Sequence, residues 1–423
     1  MELVKRKICM ITNWYPTKDN PYQGVFFREQ ALALGDYFDF FVVHYNEKKN
    51  ESILNHILRK FQKKNVTVEK INEEQNITEY NAAAYFPKYK RYLDIISIVF
   101  HKCLKRFFKY HSESVSLSGR EKRRKDAVQK IFKDYFENQI DVFYCVDAQY
   151  ESFILQCAAE SIHRPYIVSE HAPFPYPGNI ISNIERNAME HADLFMAISY
   201  DKIRQVLMQN INPRKFAYVG NLVDEKQFLL SKRDNEIKTF IMVAANSFYK
   251  NYNLFIDIFE QLIEITEKSF KVMVVGYGAN KGYSKNAEEL EERIIQSKFG
   301  KNVELIPEIS HDRIQELYSR ADAFVMTSIQ EGMPVSALEA GCCGLPIFST
   351  MCGGVEDYVE ERIGRIYGIV DSTSFAKGLK EYLEGEISFD NEYIRNYIVE
   401  KFGKKAFTNR MVNIFNETID NFS

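Results

Sequence analysis

The stretch Ala323–Thr350 reads AFVMTSIQEGMPVSALEAGCCGLPIFST. A short apolar run, Ala323–Met326, opens it, and a second, Ile347–Ser349, closes it. Between them stand two glutamates, Glu331 and Glu339, eight positions apart. Gly332 lets backbone approach a ligand without a Cβ in the way. Pro334 fits the first helical turn, where its missing N–H costs nothing. The stretch therefore predicts strand, loop, a helix starting near Pro334, and strand, which is one βα unit of a parallel sheet. The free amides and positive dipole end of such a helix are a ready seat for phosphate. Glu331 sits before the helix, and Glu339 lies about 7–8 Å further along its axis than Pro334, at roughly 1.5 Å per residue. This layout suits a diphosphate with a hydroxyl-bearing group at each end and one carboxylate for each. Taken alone, the same residues also fit a capped core helix whose Glu339 meets only solvent.

The same alternation extends through the 423 residues. Ile8–Ile11, Phe38–Val43, Val142–Val146, Tyr166–Ser169 and Leu194–Ile198 form one series of candidate strands. Phe240–Ala244, Val272–Val275, Val303–Ile306, Ala323–Met326 and Ile347–Ser349 form another. Most are continuous apolar runs, as suits strands buried on both faces of a parallel sheet. Helical stretches such as Leu254–Thr266 and Ala287–Ser297 separate them. The expectation is an α/β protein of two doubly wound domains facing a cleft. Pro213 and Gly220 punctuate the junction at Asn212–Phe228. The carboxyl ends of the strands are where ligands are expected.

Net charge is −3, but it is unevenly spread. Residues 88–130 hold thirteen Lys/Arg and four Asp/Glu, a net +9. Within 85–109 the charges mix with Phe, Ile and Leu. That pattern reads as a basic amphipathic helix or helix pair able to meet an anionic membrane surface. Nucleic acid is disfavoured, because the aromatics are mixed with long aliphatics rather than arranged for base stacking. The other half, GREKRRKDAVQK, is nearly all polar. No apolar run approaches the roughly 18 residues of a membrane span. The start, MELVKRKICMITNWYP, is too short and wrongly flanked for a secretory signal. The seven cysteines show no zinc spacing, so Cys342, Cys343 and Cys352 read as buried small residues. A cytoplasmic location with reduced thiols is expected, peripheral at the inner face of the cell membrane if the basic segment docks there.

The stretch EGMPVSALEAGCCGLPIFST resembles the E-x7-E signature of retaining glycosyltransferases of the two-Rossmann-domain (GT-B) fold, and of glycosyltransferase family 4 (glycosyltransferase group 1) within them. Other segments resemble that family in order: Thr12–Leu34 with Gly24, VSEHAPFP with His171, VGNLVDEKQF, VAANSFYKNYNLFIDIF with Lys250, KVMVVGYGAN with Gly276, CGGVEDYVEERIGRIYGIVD, and the last helix. The resemblance implies domains at 1–215, which binds acceptor, and 216–403, which binds nucleotide-sugar. It also implies a helix at 404–423 that crosses back onto the first domain.

The implied activity is transfer of a sugar from a UDP- or GDP-linked donor to a glycan or lipid-linked acceptor, with retention, in cell-surface polysaccharide biosynthesis. Glu331, Lys250 and His171 would be catalytic: Lys250 on the leaving diphosphate, Glu331 on the donor-sugar hydroxyls, His171 near the donor sugar. Gly24, Gly332, Met333, Pro334, Val335, Gly276 and Asn246 would line the donor site, and Glu339 would meet the ribose. The other seven histidines receive no role. The chain departs from the family at Ala245, where an arginine is common, and at Asp357, where glutamate is. No metal or other cofactor is expected, since Lys250 and helix amides can hold the phosphates and no Asp-x-Asp triplet occurs. A nucleotide-sugar epimerase of similar shape and a non-catalytic binding protein of the same fold are the alternatives. The E-x7-E spacing argues against the first. The presence of Glu331, Glu339 and Lys250 argues against the second.

Overall fold

The computed structural model describes residues 5–16, 24–52, 55, 59, 65–87, 117–175, 179–231, 235–278 and 284–422. The chain divides into two compact units. The first comprises 1–197, 203–219 and 408–423, and the second 198–202 and 220–407. The boundary falls at Val219 rather than at 215, because Phe216–Tyr218 pairs with Leu194–Ala197 and completes the first sheet.

Among its described residues the first unit holds eight strands: β1 (Arg6–Ile11), β2 (Phe38–Glu51), β3 (Val66–Glu74), β4 (Ile77–Pro87), β5 (Val142–Cys145), β6 (Tyr166–Glu170), β7 (Leu194–Ala197) and β8 (Phe216–Tyr218). Their order is β3-β4-β2-β1-β5-β6-β7-β8. All neighbours run parallel except the β3–β4 hairpin. Order reverses between β1 and β5, and a crevice at such a reversal is where doubly wound sheets bind ligands. Central strands are buried throughout, as the continuous apolar runs require. Residues 408–420 complete this unit, with Phe415 packed edge-on against Phe38, Phe40 and Tyr144.

Part of the basic segment is visible here. Gly119–Phe136 is a helix opened by a capping box between Ser118 and Glu121. The polar stretch 119–130 is the first part of this helix, which continues through Ile131, Phe132 and Phe136; these and Val128 join the core. Arg124 pairs with Glu47, and Lys125 with Glu160 at 2.8 Å. Of the expected membrane-facing segment 85–109, residues 85–87 end a strand rather than open a helix, and 88–109 lie outside the described residues.

The second unit holds β9 (Lys238–Val243), β10 (Phe270–Val275), β11 (Val303–Ile306), β12 (Ala323–Met326), β13 (Ile347–Thr350) and β14 (Gly364–Tyr367). Their order is β11-β10-β9-β12-β13-β14, and every pairing is parallel. Here the order reverses between β9 and β12. The helices Tyr252–Ile265 and Ser372–Glu384 supply Phe255, Phe259, Leu262, Phe375 and Leu379 to one core cluster. Cys342, Cys343 and Cys352 are buried free thiols, and among the described residues no group of His, Cys, Asp or Glu is placed to hold a metal ion. No helix among the described residues is long and apolar enough to cross a membrane.

Candidate functional site

Lys250 and Glu331 arrive from the two sides of the β9/β12 reversal. Lys250 ends a 3-10 turn, Phe248–Lys250, in the loop after β9. Asn251 follows with φ +48° and caps the next helix, its side chain accepting from the Leu254 amide. The loop after β12 is tied to this turn: Thr327 Oγ1 donates to Lys250 O at 2.9 Å, and the Ile329 amide to Tyr249 O at 2.7 Å. Glu331 is held from below by its own amide, which donates to Cys352 O at 2.7 Å.

The side chains meet. Lys250 Nζ lies 2.6 Å from Glu331 Oε1, and both are half-buried. Ser328 Oγ donates to the same Oε1 at 2.6 Å. Glu331 therefore carries two donors on one oxygen, while Oε2 keeps acceptor capacity. Ser328 is fully buried and its role was not read from the sequence. The only trace is its position three residues before a glutamate.

Gly332, Met333 and Pro334, next in the chain, are buried. Pro334 is the N-cap of the helix Val335–Cys342, one position outside the first turn where it was expected. A proline cap has no side-chain oxygen, so the first-turn amides of Val335, Ser336 and Ala337 receive no bond from it. Asn221 Nδ2 donates to Met333 O at 2.8 Å and sets the backbone before the helix. Gly354, at φ +72°, packs so closely that a Cβ there would stand 2.2 Å from Gly332 O. This explains a glycine at that position of CGGVED.

Glu339 does not meet only solvent. It is 4% exposed, and both its oxygens are bonded. His311 Nε2 lies 2.8 Å from Oε1, and Tyr318 Oη donates to Oε2 at 3.0 Å. Burial first, then the neighbouring Glu339, pushes the Tyr318 phenol well above its usual value, so it remains a donor. His311, a histidine given no role in the sequence reading, is thus the one that meets a donor-site candidate among the contacts of Glu339. Nothing in local sequence connects ISHDRIQELY to Glu339, because the contact spans 28 residues.

The remaining donor-site candidates lie on neighbouring loops of this unit. Gly276 follows β10 at φ +83°, and its amide donates to Ile306 O at 2.8 Å. Asn246 is tied into the loop framework, its amide to Tyr277 O and its side chain to Asn286 O at 2.9 Å. It does not join the Lys250–Glu331 pair. Asp357 Oδ2 accepts from the Tyr200 amide at 3.0 Å. Burial, then Glu356 and Asp201, push its carboxyl up to about 6, against that bond.

In the first unit, Gly24 caps the helix Val25–Ala33 at φ +65°, and a Cβ there would stand 2.3 Å from Trp14 O. The chain can make this turn after β1 only with glycine. His171 follows β6. Its ring meets Phe27 edge-on at 4.8 Å, and its Nε2 lies 3.3 Å from Ser169 Oγ. Gly24 and His171 are thereby brought to the same loop cluster.

Residues 223–399 match the family model described as glycosyl transferases group 1. Over 293 residues the chain is 22% identical to the lipopolysaccharide 1,6-galactosyltransferase of Escherichia coli (strain K12), covering 67% of this chain and 77% of that protein. It is 23% identical over 241 residues to the O-antigen chain mannosyltransferase RfbU of Salmonella typhimurium, covering 54% of this chain and 64% of that one. Among solved structures, the apo lipopolysaccharide outer core galactosyltransferase WaaB superposes with a TM-score of 0.65 at 15% identity, over 97% of this chain and 99% of that one. Anabaena Alr3699/HepE in complex with UDP and glucose superposes with a TM-score of 0.63 at 13% identity, over 97% and 100%. These superpositions share the architecture of two Rossmann-like domains.

Proposed function

We propose that this chain, a glycosyltransferase of GT-B fold, moves a sugar from a UDP- or GDP-linked donor to a glycan or lipid-linked acceptor with retention at the anomeric carbon. The observation that carries the proposal is the convergence of Lys250, Glu331 and the uncapped helix start at the β9/β12 reversal, with Glu339 in the same helix. As the bond to the β-phosphate breaks, negative charge grows on the leaving diphosphate. Lys250 and the first-turn amides stabilise it, and preorganised charge of this kind is usually the largest catalytic contribution. Glu331 Oε2 accepts from donor-sugar hydroxyls, and Glu339 accepts from the ribose. The parts given to Gly24, His171, Gly276 and Asn246 by the family resemblance belong to the same proposal. No general base is assigned.

The relatives named for lipopolysaccharide and O-antigen transfer support a place in cell-surface polysaccharide assembly. An acceptor borne on lipid would fit docking of 85–109 on the inner face of the cell membrane. No metal is required in this scheme, because the diphosphate seat is built from a lysine and amides.

Incubation with a panel of UDP- and GDP-sugars, with and without excess chelator, tests the proposal. Release of nucleoside diphosphate should depend on one donor and survive chelator, and the product should keep the donor's anomeric configuration. An inverted product, or activity lost in chelator and restored by magnesium, would contradict the corresponding part. Epimerised donor formed without acceptor would favour the isomerase alternative.

A further inference from the structure

Glu339 is a buried carboxylate, and its two nearest donors come from outside its own helix. Tyr318 ends the helix Ile314–Tyr318 and is fully buried. Its hydroxyl stands 3.0 Å from Oε2 and 3.2 Å from Ser336 O, so the carboxyl oxygen is the nearer partner. His311 opens the preceding 3-10 turn, His311–Arg313. In the tautomer protonated at Nε2, it donates to Oε1 at 2.8 Å. The two donors use one lone pair on each oxygen and leave acceptor capacity on both. They also fix the plane of the carboxyl group, which otherwise turns freely about its last bond.

Exposure gives this arrangement a direction. The Tyr318 side is closed, whereas the His311 side chain is 40% exposed beside a carboxylate that is 6% exposed. The opening toward Glu339 therefore runs past the imidazole. His311 is itself fixed there: its ring packs on Phe228 at 5.8 Å, and its carbonyl accepts from Gln227 Nε2 at 3.0 Å. Phe228 also packs on the Tyr318 ring at 6.0 Å. One aromatic side chain thus backs both donors.

We propose that His311 and Tyr318 are positioning residues for ribose recognition. Together they hold the Glu339 carboxyl group turned so that its remaining lone pair at Oε1 meets the ribose hydroxyls of the nucleotide. This rests on the reading of Glu339 as the ribose ligand. Neither residue touches the sugar being transferred. Their contribution is confined to ligands that carry ribose hydroxyls.

Calorimetric titration of the full chain with UDP and GDP, and with the 2′,3′-dideoxy form of whichever binds, tests the proposal. Wild type should bind the ribonucleotide more tightly than the dideoxy form. Tyr318→Phe keeps the buried ring, and His311→Ala removes the exposed donor. Each should weaken the ribonucleotide on the order of tenfold, the typical cost of leaving one buried acceptor unpaired, and leave the dideoxy form unchanged. His311→Gln, which returns an N–H donor, should recover much of the loss. Equal weakening of both ligands would show a merely structural role and overturn the proposal. Unchanged ribonucleotide binding in both variants would overturn it as well, with the donor-site reading intact. Failure of wild type to bind either nucleotide, or to distinguish the dideoxy form, would remove Glu339 as ribose ligand and the proposal with it.

Discussion

Lys250 and Glu331 hold each other at 2.6 Å, yet in the proposed reaction each has a separate substrate group to meet. The ion pair keeps both charges satisfied until a diphosphate and a sugar hydroxyl replace it. Lys250→Ala and Glu331→Ala should each lower turnover on the order of 100–1000-fold, the usual cost of one preorganised electrostatic partner. Their melting temperatures should stay near wild type, because both side chains are half-buried at a loop rather than in the core. Initial rates and thermal melts check this, and near wild-type rates in folded variants would contradict it. Asp357 gives a second residue-scale prediction. Its folded carboxyl titrates at about 6, above its ordinary 3.8. The proton it binds therefore favours the folded state below about 4, and that benefit is lost as pH rises through about 6. Asp357→Asn, which can still accept from the Tyr200 amide, should be more stable than wild type at pH 8 by about 1 kcal/mol, after discounting the full linkage value for solvent screening. The difference should shrink to nothing by about pH 4. Denaturant melts at both pH values decide it.

At the level of elements, most parallel strands of both series were legible because they are continuous apolar runs. Ala323–Met326 coincides with an observed strand buried throughout, and Val303–Ile306 coincides with an edge strand that leaves Glu304 exposed. The β3–β4 hairpin was not legible. β3 is largely exposed and acidic, β4 carries Asn81-Ala82-Ala83-Ala84, and the turn at Gln75 and Asn76 has no glycine to mark it. It is instead fixed from outside, by Asn76 Nδ2 donating to Ala31 O and Phe38 O. The site divides the same way. The family resemblance singles out Glu331 and Lys250 separately, whereas their pairing, like the approach of His311 and Tyr318 to Glu339, comes only through tertiary packing. The helix Gly119–Phe136 was masked by its own charge. Its apolar stripe, Val128, Ile131, Phe132 and Phe136, has helical spacing but sits within a run of lysines and arginines. Phe132→Ala should cost about 3–5 kcal/mol and lower the melting temperature clearly. Lys122→Gln, on the exposed face, should change stability by less than about 0.5 kcal/mol. Similar melts for the two variants would refute the core assignment of this helix.

For the molecule as a whole, charge distribution decides the membrane proposal. Arg124 and Lys125 are engaged by Glu47 and Glu160, so they add little to a free positive field. The proposal therefore rests on 85–109, where Lys102, Lys105, Arg106 and Lys109 stand among apolar residues. Sedimentation with anionic liposomes should carry the protein down at low salt, with about 1 kcal/mol from each basic residue near the surface. Binding should fall as salt rises and when those four are changed together to glutamine. Equal recovery on neutral liposomes would sink the proposal. The division of the chain between the two units has its own bearing on the whole. The first unit's eight described strands are complete once residue 218 is made, but Phe415 comes only after the entire second unit. At about 5–20 residues per second, the intervening stretch takes roughly 10–40 s to synthesise. For that interval Phe38, Phe40 and Tyr144 face a gap that the last helix will fill. On the ribosome, the domain that starts first is therefore the one that finishes last, and its half-covered sheet is a natural client for a chaperone until residues 408–420 emerge.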